Sequence, residues 1–354
     1  MPATPEALRA TLGGLPVTPE TLRAALGALP VTPETLRAAL AALPVTIEEA
    51  SVEVGAVCVP SYPDGPRPTS LLALRGGGAT GRAEHVGWSE AAHRAFRDCA
   101  LPRMPRGAWR LESWSAAVAG SIAESYDRAA LEAAAIDLAL QQQRTSLFDL
   151  VGCPPRPVRY VVSFGRVADP ADEARSQGDV ELKVDADPGW DDTTFTALAR
   201  LGRVAVLDWK NGGTRADHER GHRVLPDALV EDPCWDLAPW SSDLHRRLAA
   251  DAPLGRAGDV DRLPVRPAAA NLKPARMGGI LEMLAAAAAC RARGISYYVG
   301  GMFEIGVGRR QLQALAALLC PDGPNDVASI ARTGETPSRP ARIEVVGTAP
   351  GFGA

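Results

Sequence analysis

Between Val204 and Lys273 the chain reads Val204-Ala205-Val206-Leu207-Asp208, then Ala228-Leu229-Val230-Glu231, then Leu248-Ala249-Ala250-Asp251, then Ala269-Ala270-Asn271-Leu272-Lys273. Each run is short, almost wholly apolar, and closed by an ionisable side chain. Unbroken apolar runs of this length, spaced by helical stretches, are the pattern of parallel strands buried on both faces. The alternation continues outward. Arg159–Ser163 and Val180–Val184 precede it, and Ile295–Val299 and Asp326–Ile330 follow it. Consecutive parallel strands need a crossover between them, so eight such runs predict an α/β fold with a (β/α)8-type barrel.

Upstream the texture differs. Ser51–Val57 alternates like a strand, and Ser70–Leu74 before Gly76-Gly77-Gly78 reads as a second strand and a turn. Residues 113–149 are Ala-rich and helical, with Leu131, Ala135, Ile136 and Leu138 on one apolar face. Strands followed by helices predict a small α+β domain over 46–155, ahead of a barrel over 156–330 and a C-terminal segment over 331–354. Residues 1–45 repeat with a period of 14: Thr4-Pro5-Glu6, Thr18-Pro19-Glu20 and Thr32-Pro33-Glu34 each open a unit ending in Leu-Pro-Val. Thr as N-cap, Pro at the first helical position and Glu in the first turn favour a short helix in each. Helices of about ten residues are marginal alone, so the extension is expected to be loosely structured.

Composition excludes several classes. The 354 residues are 46% hydrophobic and 23% charged, ordinary globular values. Lys+Arg 38 against Asp+Glu 42 leaves −4, with no basic stripe, so a nucleic acid partner has no electrostatic support. No apolar run is long enough to span a bilayer, and no basic head precedes an apolar stretch as in an export signal. Cys58, Cys99, Cys153, Cys234, Cys290 and Cys320 are scattered without a CxxC, as expected of reduced thiols in a cytoplasmic protein.

The strand ends carry the chemistry. At the C-terminal mouth of a barrel they converge, so Lys183, Asp208, Glu231, Asp251 and Lys273 are expected to neutralise one another or to share a cation. Three carboxylates are hard oxygen donors and suit Mg²⁺ better than Zn²⁺. A cation on a substrate carboxylate would stabilise the charge that develops when the α-proton leaves, with two lysines serving as base and acid.

These residues resemble the enolase superfamily, in the mandelate racemase/muconate-lactonising enzyme-like branch that includes o-succinylbenzoate synthases, over about residues 46–354. Ala130–Leu138 is similar to the helix joining capping domain to barrel, and Asn271-Leu272-Lys273-Pro274-Ala275-Arg276-Met277-Gly278-Gly279 is the most specific match. Leu182-Lys183-Val184 resembles the second half of a Lys-x-Lys strand. Gly300–Glu304 resembles the seventh strand, and Pro350–Gly353 a tail returning to the cap. The resemblance implies Lys183 and Lys273 as the acid/base pair and Asp208, Glu231 and Asp251 as Mg²⁺ ligands. It also implies Asn271, Arg276 and Glu304 beside the substrate, and loops near Tyr62–Thr69 and Gly81–Trp88 closing over it. The activity it implies is proton abstraction α to a carboxylate: dehydration, N-acyl amino acid racemisation or cycloisomerisation, in an isomerase or lyase acting on a small carboxylate, without a membrane partner and with homo-oligomers open.

Three positions depart from that pattern. Glu181 stands where the first lysine would be and, two residues from Lys183, is expected on the same strand face, favouring the ammonium form. Lys210 stands two residues after Asp208, where it is placed to occupy the cation's position. The third ligand sits in Asp251-Ala252-Pro253, with Asp259 and Asp261 as substitutes. A metal-free barrel binding an anionic ligand or a partner is the alternative these departures support. His218-Glu219-Arg220-Gly221-His222 matches HExxH, but its charged flanks make it a solvated helix rather than a zinc site. Gly76-Gly77-Gly78 has no Lys-Ser/Thr after it and reads as a hairpin turn, not a phosphate loop.

Overall fold

The computed structural model describes residues 18, 21, 30–58, 65–330, 337–347 and 349–353. Seven parallel strands form the larger sheet: β6 (Val162–Phe164), β7 (Leu182–Asp185), β8 (Val204–Asp208), β9 (Leu229–Glu231), β10 (Leu248–Ala250), β11 (Ala269–Leu272) and β12 (Ser296–Val299), hydrogen-bonded in chain order. They are short, and Leu248, Ala249 and Ala250 are all fully enclosed. The five remaining strands among the described residues form a three-stranded sheet and a two-stranded pair in the N-terminal part.

The eighth barrel position departs from the expected Asp326–Ile330 strand. Two residues, Asn325 and Asp326, bridge Tyr160 on one side and Gly300 on the other, and so close the ring. Pro324 lacks a backbone donor, and the Asn325 side chain supplies what the ladder loses. Its Oδ1 accepts from Val299 N at 2.9 Å, and its Nδ2 donates to Arg159 O at 3.0 Å and Cys320 O at 2.8 Å.

The N-terminal part is an antiparallel meander of β2 (Glu49–Val57), β3 (Arg67–Gly76) and β4 (Ala79–His85). Gly77 and Gly78, at φ 54° and 74°, form the two-residue turn that joins β3 to β4, a conformation that favours glycine. The sheet lies on the 18-residue helix Ser125–Gln142, approaching so closely at Gly81 that a Cβ there would stand 2.2 Å from Ala134 O. Two buried acids on this helix fasten its neighbours. Glu132 accepts from Leu281 N at 2.9 Å, on the barrel side, and Asp137 accepts from both Arg82 N and Phe352 N at 2.7 Å. The C-terminal Pro350–Gly353 segment thereby rests on the same helix.

The third repeat unit is part of this body. Thr32 and Thr35 cap the helix Pro33–Ala42 reciprocally, and Leu36, Ala39, Leu40 and Leu43 are completely buried. Arg37 donates to Leu281 O, and Glu34 pairs with Arg291 at 2.7 Å, both on the Ile280–Ala292 side. The chain continues as β1 (Pro44–Ile47), which pairs with β5 (Gly107–Arg110). The expectation of a loose extension therefore gives way for residues 32–45: the leucine face that cannot hold a lone helix is covered by tertiary packing. The first two units lie outside the described residues except for Thr18, Thr21, Pro30 and Val31.

The His218–His222 segment lies on the helix Arg215–Val224, outside the strand ends. His218 is buried rather than solvated. Its ring packs edge-on against Trp209 and Trp240, and Nε2 accepts from Cys234 N at 3.2 Å. The described cysteines are all free thiols, and no described helix is long and apolar enough to cross a membrane.

Two predictions follow from this packing. Leu40→Ala should destabilise the protein by about 3 kcal/mol in urea unfolding, as for a fully buried leucine; a change near zero would place the third unit outside the cooperative core. Burial lowers His93 and His218 to about 4, below the value of about 6.5 in the unfolded chain. The unfolded state then takes up protons first as pH falls. Stability present above pH 6.5 is lost towards pH 4, by about 2 kcal/mol per histidine at pH 5. His218→Gln should flatten that slope relative to wild type, and an unchanged slope would contradict the assignment.

Candidate active site

Strand register sets the geometry. Asp185 pairs with Asp208 across β7–β8, and Asp208 with Glu231 across β8–β9, so three carboxylates stand in one row at the strand ends. Adjacent strands are about 4.8 Å apart. Asp251 follows β10 directly, and Asp208, Glu231 and Asp251 each offer an oxygen within 4.8 Å of the others, all buried. β7 and β11 are the second and sixth of eight ring positions. Lys183 and Lys273 therefore enter from opposite walls, with the three carboxylates on the positions between them.

Counter-charge is dense. Lys183 Nζ contacts Glu231 Oε1, lies 3.0 Å from Asp208 Oδ2 and 3.9 Å from Asp326 Oδ2. Burial alone would lower the Lys183 pKa, but Asp208, Glu231, Asp326 and Asp251 outweigh it and hold the amine well above its ordinary value, as ammonium. Burial pushes Glu231 up to about 8 despite Lys183. Asp208 is held at about 2: burial raises it, and Lys183 and Lys210 more than compensate. Asp251 receives Lys273 Nζ at 2.9 Å and Arg276 Nη1 at 2.6 Å. Burial opposes its ionisation, yet Lys273, Lys183 and Arg276 hold it below the usual carboxylate range.

The structure brings Lys183, Lys210, Asp208, Glu231, Asp251, Asn271, Lys273 and Arg276 together and leaves out Glu181 and Glu304. Glu181 lies before β7, at the opposite end of that strand from Asp185. Its carboxylate takes Arg159 in a two-bonded pair at 2.6 and 2.8 Å, so it does not modify Lys183 directly. Glu304 is buried and turned into its own loop, accepting from Met302 N at 2.7 Å. Asp259 pairs with Arg256 and Arg262, and Asp261 with Arg293, so neither substitutes for Asp251. Lys210 does reach Asp208 Oδ2, at 2.5 Å, and Asp185 at 3.3 Å.

Four participants escape the strand-end reading. Tyr298 donates to Glu231 Oε2 at 2.5 Å, and Asp232 accepts from Asp251 N and Ala252 N at 2.8 and 2.7 Å. Asp185 lies two residues beyond Lys183, a same-face spacing that could have found it. Asp326 was visible only as the start of a weak strand. Of the loops expected over the mouth, Arg67 is buried and donates to Val86 O and Met302 O, both at 3.1 Å, tying cap to barrel. Tyr62–Asp64 lie outside the described residues.

A divalent cation fits this residue set. Six carboxyl groups, of Asp185, Asp208, Glu231, Asp232, Asp251 and Asp326, gather here with the four cationic groups of Lys183, Lys210, Lys273 and Arg276. The donors are hard oxygens, suited to Mg²⁺. Asn271 Nδ2 donates to Glu231 at 3.2 Å, while its buried Oδ1 has no partner among the described residues and adds a further acceptor beside the row.

Residues 38–150 and 154–332 match the N-terminal and C-terminal models of a domain of unknown function, DUF8230. An N-succinylamino acid racemase of Amycolatopsis sp is 30% identical over 213 residues, covering 54% of this chain and 57% of the relative. An o-succinylbenzoate synthase of Enterococcus faecalis is 28% identical over 223 residues, 58% of this chain and 60% of that protein. The chain thus matches less than two thirds of the length of these curated relatives. The dipeptide epimerase structure from Methylococcus capsulatus complexed with Mg ion superposes with a TM-score of 0.68 at 21% identity, covering 79% of this chain and 89% of that one. The 2-chloromuconate cycloisomerase from Rhodococcus opacus 1CP gives 0.69 at 19% identity, covering 87% and 96%. Barrel, cap and strand-end acids agree with these matches: the chain belongs to the DUF8230 family, has the fold of these solved structures, and is similar in sequence to N-succinylamino acid racemases and o-succinylbenzoate synthases.

Proposed function

We propose that the chain is a cytoplasmic Mg²⁺-dependent isomerase or lyase that removes the proton α to the carboxylate of a small acid. The observation that carries this reading is the placement of two buried lysines on opposite barrel walls, flanking three converging carboxylates. Asp208, Glu231 and Asp251 would hold the cation. When bound, that cation supplies charge for the substrate carboxylate as its α-proton leaves, and takes up the carboxylates that otherwise keep Lys183 protonated.

The remaining work falls to the chain. Lys183 accepts the proton at one face of the α-carbon. Lys273 returns it at the other face in a racemisation, or stabilises developing charge as an ammonium in an elimination or cycloisomerisation. Arg276 orients Asp251 through a 2.6 Å bond, and Tyr298 and Asn271 fix Glu231. Likeness to an N-succinylamino acid racemase makes N-succinylated amino acids the first substrates to try. A second reading, a metal-free barrel binding an anion, is favoured by one observation: Lys210 sits on Asp208.

Incubation with N-succinylamino acids in deuterated water with Mg²⁺ should place deuterium at the α-carbon. Lys183→Ala and Lys273→Ala should each slow it about 10²–10⁴-fold. Exchange indifferent to both lysines would refute the assignment, and absence of both exchange and Mg²⁺ binding in the native protein would leave the anion-binding reading.

A further inference from the structure

Asp208 Oδ2 is the one oxygen of the carboxylate triad that, among the described residues, meets two ammonium groups: Lys183 at 3.0 Å and Lys210 at 2.5 Å. Its Oδ1 is already bound by the backbone N–H of Lys210 at 3.0 Å. A further cation can use Oδ2 only if one ammonium leaves. Lys183 has nowhere to go, since its side chain is 1% exposed and is enclosed by Asp208, Glu231 and Asp326. Lys210 is 45% exposed, against 7% for Lys273, so its head is the one at the rim.

The backbone beneath Lys210 is pinned. Lys210 and Asn211 both lie in the left-handed region, at φ 51° and 59°, a conformation that a non-glycine residue keeps only where its surroundings impose it. Asn211 N donates to Asp232 O at 2.7 Å, Gly212 N to Trp209 O at 2.8 Å, and Asn211 Oδ1 accepts from Trp235 N at 3.2 Å. A turn held this firmly fixes where the lysine starts, while its exposed stem moves by side-chain rotation alone.

We propose that Lys210 is a displaceable counter-ion, which holds Asp208 until a divalent cation replaces it there and swings it out to the barrel mouth. The inference rests on the metal reading above, and it makes Lys210 a positioning residue that sets how tightly the cation is held. Asp185, its second anchor at 3.3 Å, retains it near the rim.

The test is Mn²⁺ titration of the full chain by calorimetry, with Mn²⁺ as a hard-oxygen probe, on wild type, Lys210→Met, Lys210→Arg and Asp208→Asn. Removing a competing charge at an interface of intermediate dielectric should tighten Mn²⁺ binding in Lys210→Met by about tenfold or more, while Lys210→Arg stays near wild type. In parallel, acylation of Lys210 by acetic anhydride, read by peptide mass spectrometry, should rise several-fold when Mn²⁺ is added. Binding by Lys210→Met where wild type shows none would overturn the exchange, since Lys210 would then block Asp208 permanently rather than yield to the cation. Equal Mn²⁺ affinity in wild type and Lys210→Met, or Lys210 labelling indifferent to Mn²⁺, would overturn the exchange while leaving the metal site intact. Absence of Mn²⁺ binding in every variant would overturn both.

Discussion

Enclosing Asp208, Glu231 and Asp251 at a barrel mouth is costly unless opposite charge lies within a few ångströms, because ions leaving water lose several kcal/mol of solvation each. The architecture answers that demand through one geometric fact: parallel strands all present their carboxyl ends at one rim. Row-wise register brings Asp185, Asp208 and Glu231 side by side, and the opposite walls deliver Lys183 and Lys273. Partners are shared, Asp208 between Lys183 and Lys210 and Asp251 between Lys273 and Arg276, so the cluster stands as a unit.

The cap depends on the barrel in the same way that the rim depends on its lysines. Helix Ser125–Gln142 is buried on both sides, between the β2–β4 sheet and the Ile280–Ala292 region, and two of its enclosed acids, Glu132 and Asp137, are satisfied by backbone N–H groups from three separate segments. Gly81 permits the sheet to approach that helix at backbone distance. Arg67 then carries a cap strand to the Met302 carbonyl, directly before the loop that holds Glu304. These contacts fasten the β3–β4 part of the cap to the barrel by hydrogen bonds.

How much of this was legible varied with the physics involved. Apolar runs ending in charge revealed the strands and the convergence of their ends, because burial on both faces leaves no polar alternation to confuse the pattern. Glu181 departs from its expected role because Arg159, on the neighbouring segment, takes its carboxylate, a pairing that spacing from Lys183 does not record. The eighth position was hidden because an Asn325 side chain replaces ladder bonds, which no hydrophobic pattern records. Tyr298 and Asp232 act through hydrogen bonds to groups distant in sequence, and their neighbours carry no local mark of it. The third repeat was underestimated because propensity alone describes an isolated helix, whereas Leu36, Leu40 and Leu43 are held by the body.

That seated helix has an odd corollary. Thr18–Val31 and Thr32–Val45 differ only at Gly27 and Ala41, so the docking groove meets essentially the same ligand twice in tandem. Within the fourteen residues only Ala41, buried in the seated helix, sets the copies apart, because a glycine there is the poorer helix former. The flank adds a second distinction: after the seated copy the chain runs Thr46-Ile47, with Ile47 wholly enclosed, whereas the preceding copy is followed by Thr32-Pro33. One methyl group and one isoleucine thus separate the frames of an otherwise ambiguous sequence.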